Sequence, residues 1–250
     1  MVSPSLRCYI LPMGLSPGYA GRRFVSRDGR LTTTSYAILS LLAVRSWSTY
    51  ELTQQMDRSL GRIWPRAQSK LYEEPKKLAS GGYARAKEER VGERRRTVYS
   101  ITPKGRQALA AWQGEPSAGF VLESEHLLKI FFAENGSRDD ALKTLASARA
   151  WAEERNEGNL EAGRAYLRGG APFQSRAAQT LLVGRFITEF YRLVAEWSDW
   201  ARDLVEQWPD DPSDAVPDVS AQRESVRRAQ WSEPHGAERP RQDSNLRPSD

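Results

Sequence analysis

The stretch WPRAQSKLYEEPKKLASGG, residues 64–82, decides the fold of this chain. Proline is tolerated in the first turn of a helix and paired glycines end one, so the stretch predicts a helix over residues 66–80. Leu71 and Leu78 mark its inward side, and the opposite side is polar and basic. Pro75 removes a backbone hydrogen bond at a cost of about 3 kcal/mol, which predicts a kink or a shortened helix.

Two shorter helices are predicted before this one. Hydroxyl residues at 32–35 precede the apolar run 36–44 and are suited to cap a first helix. Ser48 stands three residues before Glu51, the spacing of a capping box, which predicts a second helix over 49–59. Three short helices with a tight connection before the third are typical of a helix-turn-helix.

A β-hairpin is predicted after the third helix, with strands over 83–90 and 94–101 and Gly92 at the turn. The arginines at 94–96 stand where a hairpin would contact a DNA backbone. Taken alone, this run is more typical of a solubilising cluster. After a helix-turn-helix, however, the run is more typical of a DNA contact, because clustered arginines that bind phosphates release counterions. Thr102-Pro103 then predicts the start of a fourth helix, which completes the order of a winged helix.

Positive charge is concentrated in this part of the chain. Residues 31–113 hold 15 Lys and Arg against 7 Asp and Glu, a net charge of +8, whereas all 250 residues carry +5. A surface that faces phosphates requires such a concentration, although a solvated surface is the alternative. The single cysteine, Cys8, excludes an internal disulfide and favours a reducing compartment. No apolar run approaches the roughly 20 residues that span a bilayer, so we expect a cytoplasmic protein without a membrane partner.

Residues that enzymes use for catalysis are scarce. The two histidines are His126, on a helix with apolar residues, and His235, near the C-terminus, and neither has a plausible Cys or Ser partner nearby. No phosphate-binding glycine loop, dinucleotide fingerprint or metal-ligand spacing occurs. We therefore expect no catalytic residue, no metal site and no cofactor.

Residues 120–208 predict a second domain of helices, after a break at Gly114. The helices are expected over 120–134, 137–168 and 175–207. The last helix has an apolar face wider than one neighbour usually needs. That face consists of Leu182, Phe186, Phe190, Leu193, Trp197, Trp200 and Leu204. We interpret it as packing on its own domain and on a second copy of the chain; a purely intramolecular core is the alternative.

The sequence resembles the PadR family of transcriptional regulators. The likeness is carried by YAILSLLA at 36–43, STYEL at 48–52, WPRAQSKLY at 64–72, EPKKL at 74–78 and RTVYSITPKG at 96–105. It is strong across residues 31–112. Across 120–207 it is weaker, and that part resembles the longer helical C-terminal domain of the group related to virulence-gene activators. The first 30 and the last 40 residues lie outside the resemblance. We therefore consider a translation start near Leu31 and a C-terminal extension that is not native as alternatives.

The resemblance implies a mainly α fold, a winged helix-turn-helix of three helices plus a two-stranded wing followed by an α-helical dimerisation domain. It implies a homodimer that binds double-stranded DNA, usually as a repressor, with an affinity open to control by a small-molecule effector. The third helix would enter the major groove, and the hairpin would lie along the neighbouring backbone. The expected DNA contacts are Arg66, Gln68, Ser69, Lys70, Tyr72, Lys76, Arg94, Arg95 and Arg96. For Tyr72, packing at the edge of the core is the alternative.

The expected organisation has four parts. A poorly ordered leader over 1–30 precedes the winged helix over 31–113, and a disordered tail over 209–250 follows the helical domain over 120–208. The alternative function is a winged helix that contacts other proteins and binds no DNA. Salt-dependent binding to DNA separates the two functions.

Overall fold

A computed structural model describes residues 31–64, 68–91 and 94–230, with the backbone alone at residues 68–70, 91 and 94. These residues divide into two compact units, and the division falls between Gly119 and Phe120. The expected leader over 1–30 lies outside the described residues, as do residues 231–250.

The N-terminal unit has the element order of a winged helix. Its elements are α1 (Thr33–Val44), β1 (Trp47–Ser48), α2 (Thr49–Gln55), a π-helical turn (Met56–Leu60), α3 (Gln68–Ser80), β2 (Ala84–Val91), β3 (Arg94–Ile101) and α4 (Pro103–Gln113). The strands form an antiparallel sheet in the order β1-β3-β2. The predicted fold class is confirmed, and β1 is a third strand that the sequence did not predict.

Side-chain caps start the helices of this unit where the sequence places them. Thr32 caps α1 in a capping box with Ser35, so that this helix begins three residues before the apolar run. Ser48 caps α2, where the Ser48 N–H donates to Glu51 Oε2 at 2.8 Å and the Glu51 N–H donates to Ser48 Oγ at 3.3 Å. Each box satisfies backbone N–H groups that a helix start otherwise leaves without a partner. The chain therefore enters α1 and α2 at fixed points.

The helix α3 runs through Pro75 to Ser80, so the predicted shortening at Pro75 is wrong. The ring of Pro75 is among the most deeply buried side chains of the N-terminal unit. Burial of apolar surface offsets the hydrogen bond that proline removes. The helix ends where predicted, at a glycine pair in which Gly82 takes a positive φ of 76°.

The core of the N-terminal unit lies between its helices and the root of the sheet. Its most buried side chains come from α1, α2, α3 and the strands, and they include Ile38, Leu39, Leu42, Trp47, Leu52, Leu78 and Tyr99. Trp47 stands opposite Tyr99 in the sheet, and its indole N–H donates to the Leu41 carbonyl at 2.8 Å. The strand β1 thus connects the C-terminal part of α1 to β3 of the wing.

The C-terminal unit contains helices and no strand among its described residues. Its elements are α5 (Glu125–Phe131), a 3-10 turn (Ala133–Asn135), α6 (Arg138–Leu167), a 3-10 turn (Gln174–Arg176), α7 (Ala177–Val205), a 3-10 turn (Pro212–Asp214) and α8 (Val219–Ala229). The prediction of a helix from residue 120 is wrong, because α5 begins only after its cap, Ser124. The two long helices were predicted to within two residues at each end.

The helices α6 and α7 form an antiparallel pair. Ala141 and Leu145 near the start of α6 pack in one cluster with Ala201 and Val205 near the end of α7. Further along, Asn159 Nδ2 donates to Thr188 Oγ1 at 2.8 Å. Alanine predominates on the buried side of α6, at Ala141, Ala148 and Ala152, and small side chains let two helices approach closely. This pair is the frame of the C-terminal unit.

The segment after α7 folds back onto the start of α6. Arg138 holds it in place, since its guanidinium donates to the Trp208 carbonyl at 3.0 Å and pairs with Asp210 Oδ1 at 2.7 Å. Pro212 is buried there. The expectation of disorder over 209–250 is therefore wrong for residues 209–214, and also for α8, which is helical although none of its residues is buried. None of the described helices combines the length and apolarity that a membrane span requires.

Candidate nucleic-acid interface

The outward side of α3 presents Tyr72 and Lys76 to solvent. Leu71, Pro75 and Leu78 occupy the buried side of the helix, which turns the residues between them outward. Tyr72 is 40% exposed, and Lys76 is exposed without an ion pair to any described residue. Of the other contacts expected from this helix, Gln68, Ser69 and Lys70 lie in its first turn with only their backbone described, and Arg66 lies outside the described residues.

The register of the wing separates the arginines of the predicted run. Arg95 stands opposite Arg90, and Arg96 stands opposite Glu89. Side chains directly opposite in an antiparallel pair lie on the same face, and successive residues alternate between faces. Arg95 therefore shares a face with Arg90, whereas Arg96 lies on the other face of the hairpin. The side chain of Arg94 is not described.

The face of the wing that carries Arg96 is electrostatically paired. Arg96 Nη2 lies 3.2 Å from Glu89 Oε2, and Lys87 Nζ lies 3.8 Å from Glu89 Oε1. Arg96 also lies close enough to Glu51, at the start of α2, to act on its charge. Hydrogen bonds from Ser48, followed by the charges of Arg45 and Arg96, hold the pKa of Glu51 below its ordinary value. Arg96 is thus paired with Glu89 across the two strands of the wing.

Known proteins are similar to this unit in sequence and in architecture. Residues 38–111 match the family described as Transcriptional regulator PadR-like family. The Negative transcriptional regulator PadR of Bacillus subtilis is 32% identical over 109 residues, which are 42% of this chain and 59% of that protein.

Residues 38–111 are a PadR-like domain. Over these residues the predicted family resemblance is confirmed, and the matched family is one of transcriptional regulators. The chain matches less than two thirds of the length of the B. subtilis regulator.

Solved structures extend the likeness in fold beyond the PadR-like domain. The crystal structure of B. subtilis PadR in complex with operator DNA has a TM-score of 0.58 at 23% identity and covers 69% of this chain and 99% of that one. The same protein in complex with p-coumaric acid has a TM-score of 0.54 at 22% identity, covering 69% and 94%. The Vibrio cholerae virulence activator AphA has a TM-score of 0.52 at 24% identity, covering 68% and 95%. At these identities the structural matches establish the fold.

A carboxylate joins the middle of α3 to the start of α1. Glu74 Oε1 accepts a hydrogen bond from Ser35 Oγ and another from Thr32 Oγ1 at 3.4 Å. Ser35 and Thr32 are the two residues of the capping box of α1. Lys77 Nζ lies 3.9 Å from the second oxygen of Glu74. These contacts fix the rotation of α3 and thereby the direction in which Lys76 points.

The start of α4 holds the C-terminal end of α3 within the PadR-like domain. Thr102 Oγ1 donates to the Gly82 carbonyl at 2.7 Å, and Lys104 Nζ donates to the Gly81 carbonyl at 2.8 Å. Gly105 allows the backbones to come this close, because a Cβ there would lie 2.1 Å from the Tyr83 carbonyl oxygen. The sequence TPKG, which carried part of the family resemblance, thus anchors the turn between the helix and the wing.

Side chains that bind metals are not clustered in the described part of the chain. No cluster of three or more His, Cys, Asp or Glu side chains there has the arrangement of a metal site. His126 lies in the C-terminal unit, where its Nε2 is 3.3 Å from Ser147 Oγ. His235, the other histidine, lies outside the described residues.

The apolar face predicted on α7 is divided between solvent and the interior. Leu182, Phe186, Leu193 and Trp200 are exposed, whereas Phe190, Trp197 and Leu204 are half-buried. Phe190 packs edge-on against Trp151 of α6, with ring centroids 6.2 Å apart. The residues that α7 buries are instead Ile187, Tyr191, Ser198, Ala201 and Val205. The helix therefore has two apolar sides, one inside the unit and one uncovered.

The uncovered apolar surface of the C-terminal unit extends beyond α7. Phe120 stacks on Phe186 with ring centroids 5.4 Å apart, and Phe120 itself is 88% exposed. On α5, Leu128 and Phe131 are exposed as well. The sequence placed all three of these residues in one predicted helix over 120–134, and its apolar spacing does not show which side a neighbour covers.

Proposed function

We propose that this protein is a cytoplasmic transcriptional regulator that binds a specific operator in double-stranded DNA as a homodimer and acts as a repressor. The observation that carries the proposal is a PadR-like domain in which α3 exposes Lys76 and is followed directly in the chain by an arginine-rich wing. This combination supports DNA binding because α3 has the dimensions of a recognition helix and the wing supplies cations for phosphates.

In this proposal α3 enters the major groove and the wing lies on the adjacent backbone. Lys76 and Tyr72 are the described contacts of α3, with Gln68 and Lys70 expected one turn earlier and Arg66 before them. Gln and Lys are suited to base edges in the groove, and Tyr and Ser more often hold phosphates. The crystal structure of B. subtilis PadR with operator DNA supports this use of the fold, since its architecture is similar.

The homodimer in this proposal forms through the uncovered side of the C-terminal unit. Leu182, Phe186 and Leu193 of α7, with Phe120 beside them, present an apolar surface to solvent. Large uncovered apolar surfaces on soluble proteins mark interaction sites. A second copy is a suitable occupant, because operators with two half-sites are read by two-fold symmetric proteins.

Repression and control by a small molecule are proposed from the relatives. The B. subtilis relative is a negative regulator, and its crystal structure with p-coumaric acid shows that one member of this fold binds an aromatic acid. For this chain we propose repression and control by a small molecule, and we do not propose p-coumaric acid as that molecule.

The test is binding of the full chain to a labelled duplex from the region upstream of its own gene, measured by fluorescence anisotropy at several salt concentrations. We expect the logarithm of the affinity to fall linearly with the logarithm of salt concentration, because phosphate contacts release counterions. Lys76→Ala should weaken binding and, if Lys76 holds a phosphate, should reduce the salt slope by about one.

The matched control is Lys143→Ala, which removes an exposed lysine from α6 in the other unit. It should leave affinity and slope unchanged. A chain that binds no duplex at low salt would overturn the proposal and favour a winged helix that contacts proteins only. Equal losses in both lysine variants would reject the assignment of α3.

A further inference from the structure

One face of the wing brings two arginines together, with no described carboxylate between them. Arg90 of β2 and Arg95 of β3 stand directly opposite in the antiparallel register, so their side chains leave the same face of the hairpin. Both are exposed, and neither makes an ion pair with a described residue. The nearest described carboxylate on that face is Glu88, two residue pairs further from the tip, opposite Thr97.

The opposite face of the same hairpin is built differently. There the cross-strand partner of Arg96 is Glu89, and their charged atoms lie 3.2 Å apart. Opposite charges in facing positions stabilise a hairpin, and like charges in facing positions destabilise it. The wing therefore has one neutralised pair and, one step closer to the tip, one pair that repels itself.

An anion placed between Arg90 and Arg95 would remove that repulsion. Each guanidinium presents a planar set of N–H donors that suits two oxygens of one phosphate group. Two guanidinium groups on neighbouring strands can approach one phosphate from both sides. Lysine in either position would offer a point charge without this fixed geometry.

We infer that Arg90 and Arg95 form a clamp for a single phosphate of the DNA backbone, and that Arg96 positions the wing and does not contact DNA. This inference rests on the proposed function and adds Arg90, which lies outside the run of three arginines. The clamp places one fixed anion contact near the tip of the wing. Arg96 holds β3 to β2 within the hairpin through its ion pair with Glu89.

The test compares glutamine variants of the full chain on a short duplex of unrelated sequence, so that no operator is needed. Arg90→Gln and Arg95→Gln should each weaken binding roughly tenfold, as expected for loss of a charge-assisted hydrogen bond. The double variant should lower the salt slope by about one and not by two, because both arginines hold the same phosphate. Arg85→Gln, an exposed arginine on the other face of β2, is the matched control and should bind nearly as the wild type.

A second variant separates binding from folding of the hairpin. Arg90→Glu creates an opposite-charge pair with Arg95, so the melting temperature should stay the same or rise while affinity for DNA falls. Arg96→Gln should show the reverse, a lower melting temperature with a smaller loss of affinity than Arg90→Gln.

The outcomes distinguish the clamp from the function on which it rests. A wild-type chain that binds no duplex at low salt fails the proposed function itself. A chain that binds DNA but loses no more affinity through Arg90→Gln than through Arg85→Gln overturns the clamp alone. A double variant that lowers the slope by two overturns the shared phosphate, and an Arg96→Gln loss equal to that of Arg90→Gln overturns the positioning role of Arg96.

Discussion

The two units of the chain differ in what they leave uncovered. In the N-terminal unit the leucine and isoleucine side chains of α1 and the inward side of α3 are almost completely buried, as at Leu39 and Leu78, and Val44 at the end of α1 is exposed. In the C-terminal unit α7 buries one side against α6 and leaves Leu182 and Leu193 mainly in solvent. The winged helix is complete as a folded domain, whereas the helical unit has a surface that only another apolar surface would cover.

The units also differ in how their helices are held. In the N-terminal unit a polar contact sets the rotation of α3, since Glu74 accepts a hydrogen bond from Ser35 of α1. In the C-terminal unit polar contacts such as Asn159 with Thr188 also join the helices, and its two long helices pack along their length, with alanines on one of them. A surface that reads DNA needs a fixed orientation, and buried hydrogen bonds to charged groups supply it. A surface that pairs with a second copy needs instead a large apolar area that the partner can cover.

The largest expected effect is on the free energy of unfolding, when a buried leucine of the N-terminal unit and an exposed leucine of the C-terminal unit are each replaced by alanine. Leu78 of α3 is 1% exposed, so Leu78→Ala should lower the free energy of unfolding by about 3 kcal/mol, measured by urea denaturation of the full chain. Leu182→Ala is the matched control, because Leu182 is 74% exposed. In chain diluted until it is monomeric, the control should change the free energy by less than about 0.5 kcal/mol. Similar losses in both would show that the uncovered side of α7 already has a partner within one chain.

The next effect concerns association of two chains. Leu193→Arg places a charge in the uncovered apolar side of α7 and should raise the dissociation constant of the dimer at least about tenfold, measured by sedimentation. Val44→Arg, at the end of α1, is the control, since it adds the same charge to an exposed aliphatic position of the other unit. Phe190→Arg is less informative because Phe190 packs on Trp151 within the chain. A wild-type chain that stays monomeric at micromolar concentration would reject the dimer.

Local signals in the sequence predicted most of this fold, and signals that depend on long-range pairing did not. Capping residues gave the starts of α1, α2 and α4 because their hydrogen bonds span only three residues. The strand β1 is two residues long and exists only because it pairs with β3. Likewise, the return of Pro212 to the start of α6 depends on Arg138, which lies 70 residues or more earlier in the chain.

The same distinction holds for the candidate sites. The arginine run identified the wing, but only the register shows that Arg95 faces Arg90 and that Arg96 faces Glu89. On α7 the sequence shows a broad apolar face, and it cannot tell which side of that face meets α6. Ile187 and Tyr191 are buried there, next to Phe186, which is exposed.

The smallest expected effect compares the capping boxes of the two units. Both boxes hold a carboxylate with a lowered pKa, mainly through hydrogen bonds from serine: Glu51 with Ser48, and Asp140 with Ser137. A carboxyl whose pKa is lower in the folded state stabilises the fold above its unfolded pKa, and this contribution is lost as pH falls through the folded value. Ser48→Ala should therefore cost about 1 kcal/mol of unfolding free energy at neutral pH, and the difference from wild type should shrink below about pH 4.

The matched variant in the C-terminal unit is Ser137→Ala. The Asp140 side chain is 63% exposed, against 36% for Glu51, so water replaces the lost hydrogen bonds more readily and the cost should be smaller. Urea denaturation of both variants at neutral and acidic pH gives the four differences that this comparison needs. Equal costs in the two units, or a cost for Ser48→Ala that does not change with pH, would show that burial of the N-terminal unit does not strengthen its capping box.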